Sequence, residues 1–216
     1  MTLDLILLAV IAVVGWRLWR VLGTRTGFEL PPAPDLPLEP ARPSPSPTES
    51  LPPIWQDHAK EGSPLAKTLV EMAKIDPALD LSNFLAGAKI VHAKVLEAFS
   101  AGKLSEVKDL IAPDVYDALS GEVRARQARK ETLHYQLVGY DSVRIESATF
   151  VGTMASFRTR FESRVISWTS DAAGKPTIGS PSKTESHVDY WTFERDLKST
   201  EPNWLLIETD EAKDEG

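Results

Sequence analysis

Apolar positions recur at helical spacing through the middle of the chain. The dipeptide Ser63-Pro64 opens a short helical pattern, because serine caps a helix and proline is accepted in its first turn. Three helices follow: a long one capped by Asp80 or Ser82 and ended by Gly102, a short one through LSEVKDLI, and one that opens with the proline of PDVYDAL. The pattern therefore predicts that the folded region begins with helices.

From about Thr132 the apolar period changes to two, which indicates strands with one buried face. Five segments rich in β-branched and aromatic residues carry it: TLHYQLVGY, VRIESATFV, ASFRTRFESRVISWTS, SHVDYWTFERDL and NWLLIETD. The segment DAAGKPTIGSPSKT, before the fourth strand, has the composition of a hairpin loop. Helices followed by antiparallel strands predict an α+β fold, with the helices covering one face of a curved sheet.

An apolar run lies at the N-terminus. The span from Leu3 to Leu22 corresponds to about 30 Å of helix and is interrupted only by Asp4, Arg17 and Arg20. A bilayer core requires roughly 20 apolar residues, and long arginine side chains near a helix end can reach the interface. Residues 1–23 are therefore predicted to form a transmembrane anchor.

The flanks of this run predict its orientation. Trp16 and Trp19 are residues typical of the lipid–water boundary, and Arg17 and Arg20 place the positive charge after the run. A cleavable signal would carry its positive charge before the run, so an uncleaved anchor with a cytoplasmic C-terminal domain is favoured. A cleaved signal peptide and a helix lying on the membrane surface are the alternatives.

Most of the sixteen prolines fall between Pro31 and Pro53. Repeated proline removes amide donors and favours an extended polyproline II conformation. Residues 24–62 are therefore predicted to be a proline-rich linker that holds the folded domain away from the membrane. A docking site for a proline-recognising module is the alternative.

Composition excludes several functional classes. The 216-residue chain contains no cysteine, which rules out disulfides and zinc–thiolate sites, and its net charge of −7 argues against nucleic-acid binding. No phosphate-binding glycine loop, HExxH or GxSxG motif is present in the sequence. The four histidines are not spaced as the ligands of a metal site are. We therefore predict no metal, no cofactor and no enzymatic activity.

One pair of residues leaves catalysis open as an alternative. His187 and Asp189 lie two apart on a predicted strand, so both point to one face, where the carboxylate could orient the imidazole as a base. His134 could lie opposite this pair. A surface pair or a hydrogen-bonded cavity wall is the structural interpretation of the same spacing.

A second surface candidate is basic. Arg158, Arg160 and Arg164 share one face of the third predicted strand, with Glu162 among them. A strand in which polar and apolar residues alternate mostly has one solvated and one buried face. A partner surface for an anionic group is the functional alternative.

The run DYWTFERDLKSTEPNWLLIET, residues 189–209, combines a WTFxR strand, a polar turn and a PNWxL strand. It resembles the C-terminal domain of the Tim44-like family of mitochondrial inner-membrane import proteins and their bacterial relatives. FLAGAKIVHAKVLEAFSAGKLSEVKDLIAPDVYDAL, which precedes it, resembles that family's helix pair. The resemblance covers roughly residues 82–208 and implies a cone-shaped α+β domain, similar to nuclear transport factor two, with an apolar pocket. With the first helical pattern included, the domain is predicted to span residues 63–210, and the acidic composition of residues 211–216 predicts a solvated tail.

The resemblance also implies a role. The family suggests a membrane-associated adaptor, and a single anchor with a proline-rich spacer resembles a bacterial inner-membrane version. If a pocket exists, candidate contacts for an apolar ligand or peptide are Tyr116, Trp168 and Tyr190. The residues that match the motif are expected to join two strands and fill the core; they are Trp191, Phe193, Arg195, Pro202 and Trp204.

The functional prediction is an adaptor that contacts lipid through its N-terminal helix and holds a protein partner beside the inner membrane, in translocation or membrane-protein assembly. The first alternative is a binder of a lipid or small apolar ligand, or an enzyme, that uses the same pocket. A ribosome-docking membrane receptor is the third class, and the acidic balance argues against it.

Overall fold

The structure is a computed structural model, and it describes residues 53–211. The predicted anchor at 1–23, most of the predicted linker, and the tail after residue 211 lie outside the described residues. Within 53–211, no helix is both long enough and apolar enough to cross a bilayer.

Helices occupy the first half of the described chain, as predicted. Ser63 caps the first helix by accepting a hydrogen bond from the amide of Ala66 at 3.1 Å, and Asp80 caps the second through the amide of Asn83 at 3.0 Å. Gly102 ends the second helix in the left-handed conformation, with φ of 71°. The elements are α1 (Pro64–Ile75), α2 (Leu81–Ala101), a 3₁₀ helix (Leu104–Leu110) and α3 (Pro113–Ala128).

Five antiparallel strands form one sheet in the order β1-β2-β4-β5, with β3 paired to β2. The strands are β1 (Thr132–Val151), β2 (Met154–Ser170), β3 (Pro176–Gly179), β4 (Glu185–Asp196) and β5 (Leu205–Glu211). The α+β class, with helices preceding a curved antiparallel sheet, is confirmed.

Two details of the strand prediction are wrong. The first two predicted strands are one strand, β1, whose pairing with β2 shifts register between Leu137 and Gly139, between Tyr140 and Ser142, and once more further along. Each bulge inserts an extra residue, so the apolar period of two is lost and the strand looks broken in the sequence. The predicted hairpin loop also contains β3, whose four residues are all exposed and so carry no buried face.

The helices pack on one face of the sheet and form the core with it. Phe157, Phe161 and Phe193 are fully buried on this inner face. Phe84 of α2 meets Phe157 edge-on with 4.8 Å between ring centroids. Because the buried residues of α2 pack on the inner face, they enclose the sheet side chains that lie beneath this helix.

Candidate functional site

An open groove of about 430 Å³ lies where the α1–α2 connection and the first turns of α2 approach the β4–β5 turn. We call it the α2 groove. Its lining is mainly apolar, with a polar rim at the two connections. The lining residues are Asp76, Ala78, Leu79, Asp80, Asn83, Phe84, Gly87, Ala88, Val91, Leu110, Phe193, Arg195, Ser199, Thr200, Pro202, Asn203 and Trp204.

Four of the five motif residues lie in the lining of this groove. Phe193 is fully buried and fills the core as expected, whereas Arg195, Pro202 and Trp204 face the cavity as well. Trp204 stacks on the buried Phe157 with 4.7 Å between centroids. The motif therefore joins the two strands, as the sequence predicts. It also builds one wall of the groove, which the sequence does not predict.

An ion pair closes one side of the α2 groove. The guanidinium of Arg195 on β4 bonds the carboxylate of Asp76 in the α1–α2 connection, and both side chains are more than four-fifths buried. The same guanidinium lies 5.2 Å from the ring centroid of Trp204. Because this pair links residues far apart in the chain, it holds the helical connection against the sheet.

A second polar cluster lies inside the core, around His92 of α2. Its Nδ1 is 2.9 Å from the hydroxyl of Tyr140, and its Nε2 is 3.2 Å from Oδ2 of Asp189. The imidazole is fully buried and stacks on Phe161 with 4.2 Å between centroids. Both ring nitrogens are thus occupied by hydrogen-bond partners.

The pairing of Asp189 with His187, which the sequence left open as an alternative, does not form, because the carboxylate bonds His92 instead. Asp189 fits the structural interpretation, a hydrogen-bonded cavity wall. His187 does share a face of β4 with Asp189, but its strand neighbour is Ser163. His134 is not opposite the pair either: it stacks on Trp168 and bonds the Ser170 hydroxyl at 3.0 Å.

The sequence did hold a signal for His92. This histidine follows Ala88 by four positions and precedes Val95 by three, so it occupies the apolar face of α2. A histidine on a buried face needs hydrogen-bond partners from elsewhere in the fold. Which residues supply them is decided by packing, which the sequence pattern does not give.

Burial affects the pKa of Tyr140, which belongs to this cluster, and that of the nearby Tyr135. Burial, and secondly the charge of Asp189, raises the pKa of Tyr140 to about 12. Burial, then the charge of Asp189 and thirdly Tyr140 raise the pKa of Tyr135 further still. Both hydroxyls therefore keep their protons above pH 10, where an exposed tyrosine ionises.

The three predicted pocket aromatics do not come together, and none lines the α2 groove. Tyr116 on α3 lies beside Lys108, while Trp168 stacks on His134 near the end of β2. Tyr190 is on the outer face of the sheet, where its hydroxyl accepts a hydrogen bond from Arg160 at 3.1 Å. A binding role for Tyr116, Trp168 or Tyr190 stays a prediction.

The three predicted basic-face arginines do share the outer face of the sheet, and each has an acidic partner. Arg158 bonds Asp210 at 2.9 Å and Arg164 bonds Asp141 at 2.9 Å. Arg160 pairs with Glu162. This pattern favours the solvated-face interpretation, and binding of an anionic partner here stays a prediction.

The remaining predicted positions, Trp16, Arg17, Trp19 and Arg20, lie outside the described residues. Over residues 53–211, no group of three or more histidine, aspartate or glutamate side chains is arranged to hold a metal ion.

Comparison with known proteins gives one family. Residues 65–211 match the profile of the family described as Tim44-like domain. The intermembrane-space region of the chloroplast protein ARC6 aligns over 59% of this chain and 95% of its own, at 12% identity and a TM-score of 0.42. The SEC-C motif protein RPA3114 of Rhodopseudomonas palustris aligns over 56% and 74%, at 12% identity and a TM-score of 0.28. No curated protein matches the chain significantly.

Proposed function

Because this chain belongs to the Tim44-like domain family, we propose that it is a membrane-anchored adaptor whose folded domain binds a protein partner beside the bilayer. Membership of the family indicates a membrane-associated role in protein interaction or translocation. The finer elements of the proposal are an anchor at residues 1–23, a linker at 24–62, and placement in a bacterial inner membrane with the domain in the cytoplasm.

The α2 groove is the observation that carries the proposal. It is open to solvent, mainly apolar, and lined by Phe193, Arg195, Pro202 and Trp204 of the family-like motif. Hydrophobic grooves are one of the recurring sites that bind a helical or proline-rich segment of a partner. The Asp76–Arg195 pair fixes one wall, so the groove does not have to form on binding.

In this proposal, tethering to the membrane is what makes the bound partner more available to other membrane components. An anchored domain confines its bound partner to a thin layer beside the membrane, which raises the effective concentration of that partner for any other membrane component. A semi-rigid proline-rich linker sets the distance between the groove and the bilayer. No chemical step is needed for this role.

We further propose that the domain is not an enzyme. One acid–base candidate is His92, whose side chain is fully buried and bonded at both nitrogens. A general base has to reach the proton that it removes, within about 3 Å or through one water. The enclosed position of His92 supports a structural role.

Site-specific photocrosslinking in cells tests the groove. A photoreactive amino acid at Asn203, an exposed residue of the groove rim, is expected to capture a membrane-complex protein. The same amino acid at Glu146, an exposed residue of β1, serves as the position control. Capture of the same protein from both positions would contradict a groove-specific partner.

A matched pair of glycine substitutions sharpens this test. Gly87 lies on α2 in the groove, and a Cβ there meets nothing within 4 Å, so Gly87→Trp should fill the groove without disturbing the helix. Gly121 on α3 is similarly open, and Gly121→Trp is the control. We expect Gly87→Trp alone to abolish the crosslink.

Capture of lipid but no protein at Asn203 would instead support a binder of a lipid or small apolar ligand.

A further inference from the structure

A line of hydrogen bonds joins β4, α2 and β1 through the buried side chain of His92. Oδ2 of Asp189 lies 3.2 Å from Nε2 of His92, and Nδ1 of His92 lies 2.9 Å from the hydroxyl of Tyr140. This hydroxyl donates to the main-chain carbonyl of Lys89 on α2 at 3.1 Å. We call these four groups the His92 network.

The number of protons in the network follows from its contacts. A carbonyl oxygen only accepts, so the one hydroxyl proton of Tyr140 goes to Lys89 and Nδ1 of His92 must donate to the hydroxyl oxygen. A second proton lies between Nε2 and Asp189, because two lone pairs would repel each other at 3.2 Å. His92 and Asp189 together therefore hold two protons and carry no net charge.

The surroundings of the ring favour this doubly protonated pair. His92 stacks on Phe161 with 4.2 Å between ring centroids, and Trp191 lies 4.4 Å away on the same measure. Aromatic rings attract a protonated imidazole. A buried charge is tolerated when an opposite charge is bonded to it, and Asp189 meets this requirement.

Few other titratable groups face the pair. From β1, Tyr140 and Tyr135 have raised pKa values and keep their protons, so neither adds charge. From β5, Asp210 shares with Asp189 the wall of a cavity of about 270 Å³, to which α3 contributes Leu119. No lysine or arginine of residues 53–211 pairs with Asp189. The proton that the pair shares is therefore the one whose loss changes the charge here.

Loss of that proton rearranges the network in one direction. The remaining ring proton stays on Nε2, where it bonds the charged carboxylate of Asp189, because a bare Nε2 would face that carboxylate with a lone pair. Nδ1 then becomes an acceptor. The Tyr140 hydroxyl turns to Nδ1 and leaves the Lys89 carbonyl, so the bond between β1 and the backbone of α2 is lost.

We propose that the His92 network is a pH-sensitive switch, which ties α2 to β1 only while His92 and Asp189 hold both protons. Lys89 lies between Ala88 and Val91, which both line the α2 groove. The switch thus acts on the helix that forms a wall of this groove. A pH dependence of partner binding there rests on the proposed function, whereas the switch itself does not.

Nitrogen NMR of the histidine rings tests the switch on the purified full-length chain in a neutral detergent. The four histidines are isotope-labelled, and His92→Gln assigns the signals of His92. The shift of each ring nitrogen reports whether it carries a proton. We expect both nitrogens of His92 to carry one at about pH 6, and Nε2 alone to carry one at about pH 9.

The Tyr140 hydroxyl gives a readout that a merely structural pair would not move. The ring carbon that bears the hydroxyl is isotope-labelled, and Tyr140→Phe assigns its signal. We expect this signal to shift over the same pH interval in which His92 loses its proton, because the hydroxyl changes its acceptor. A constant Tyr140 signal, a remaining proton on Nδ1, or an unchanged number of ring protons across the interval would overturn the proposal.

Two variants should shift the pH of the transition. Asp189→Asn removes the anion beside the protonated ring, so His92 should lose its second proton about 1–3 pH units lower. Tyr140→Phe removes the acceptor of Nδ1–H and should lower the transition by roughly one pH unit. Tyr116→Phe on α3 is the control and should leave the transition in place.

Tyr140→Phe decides the test if Asp189→Asn does not fold, and an unchanged transition in Tyr140→Phe would contradict the switch.

Hydrogen exchange measures the effect on α2. After correction for the intrinsic exchange rate, protection in the middle of α2 is expected to fall about fivefold between about pH 6 and about pH 9, since one hydrogen bond is lost. In Tyr140→Phe, protection there should not depend on pH. Equal pH dependence in both chains would contradict the switch. Because these measurements need no partner, their failure leaves the crosslinking test of the adaptor proposal unaffected.

Discussion

At the scale of single residues, the hydrogen bond between Tyr140 and His92 is the contact on which the buried cluster depends. Tyr140→Phe removes the hydroxyl and leaves Nδ1 of a fully buried imidazole without its partner. We expect the free energy of unfolding to fall by about 1–3 kcal/mol, measured by urea unfolding. Tyr116→Phe is the control, because no hydrogen bond to the Tyr116 hydroxyl is found among the described residues, and it should change stability by less than about 0.5 kcal/mol.

The same cluster predicts how stability changes with pH. In the folded chain the pKa of Tyr140 is raised to about 12 and that of Tyr135 is raised further, from an ordinary value of 10.0. Between pH 10 and pH 12 the phenols of the unfolded chain ionise while those of the folded chain keep their protons. The unfolded state therefore binds fewer protons than the folded state, and stability falls as pH rises.

We therefore expect the urea midpoint to decrease from pH 10 towards pH 12. The double variant with Tyr135→Phe and Tyr140→Phe should show a shallower decrease, because neither position can ionise. A decrease of equal slope in the variant would show that other groups cause it.

At the scale of elements, β3 depends on Gly179. This glycine has φ of 71°, and a Cβ there would overlap the carbonyl oxygen of Ser167 on β2. Gly179→Ala should therefore detach the four-residue strand β3 from β2, which hydrogen exchange across this pair would detect as lost protection. Gly174→Ala is the control, since φ is 79° but no atom lies within 4 Å, so only the backbone strain of roughly 1–2 kcal/mol applies and the pairing should persist.

Element types were predicted better than element boundaries. Ser63 and Gly102 act as the helix signals indicated, and Asp80 rather than Ser82 is the cap of α2, because capping depends on side chains close in sequence. The strands were divided wrongly because the bulges of β1 interrupt its alternation, and because β3 has no buried face. Register and edge pairing are set by the neighbouring strand, so a single segment does not reveal them.

At the scale of the whole molecule, the proposed topology is directly testable because the chain has no cysteine. Ala173→Cys introduces one thiol in the exposed β2–β3 loop, and we expect an impermeant maleimide to label it in bacterial cells only after lysis. Thr2→Cys, before the apolar run, should be labelled in intact cells. Labelling of Ala173→Cys without lysis would contradict a cytoplasmic domain.

The sequence by itself determined the α+β class, the order of helices before strands, the helix caps and the family, because periodicity, capping and the WTFxR–PNW motif are local. Only the tertiary structure decided that Asp189 bonds His92 rather than His187, that Arg195 reaches Asp76, and that the predicted pocket aromatics lie apart. The reason is physical. A partner across the fold is chosen by how α2 packs on the sheet and by strand register, and both join residues that lie far apart in the chain.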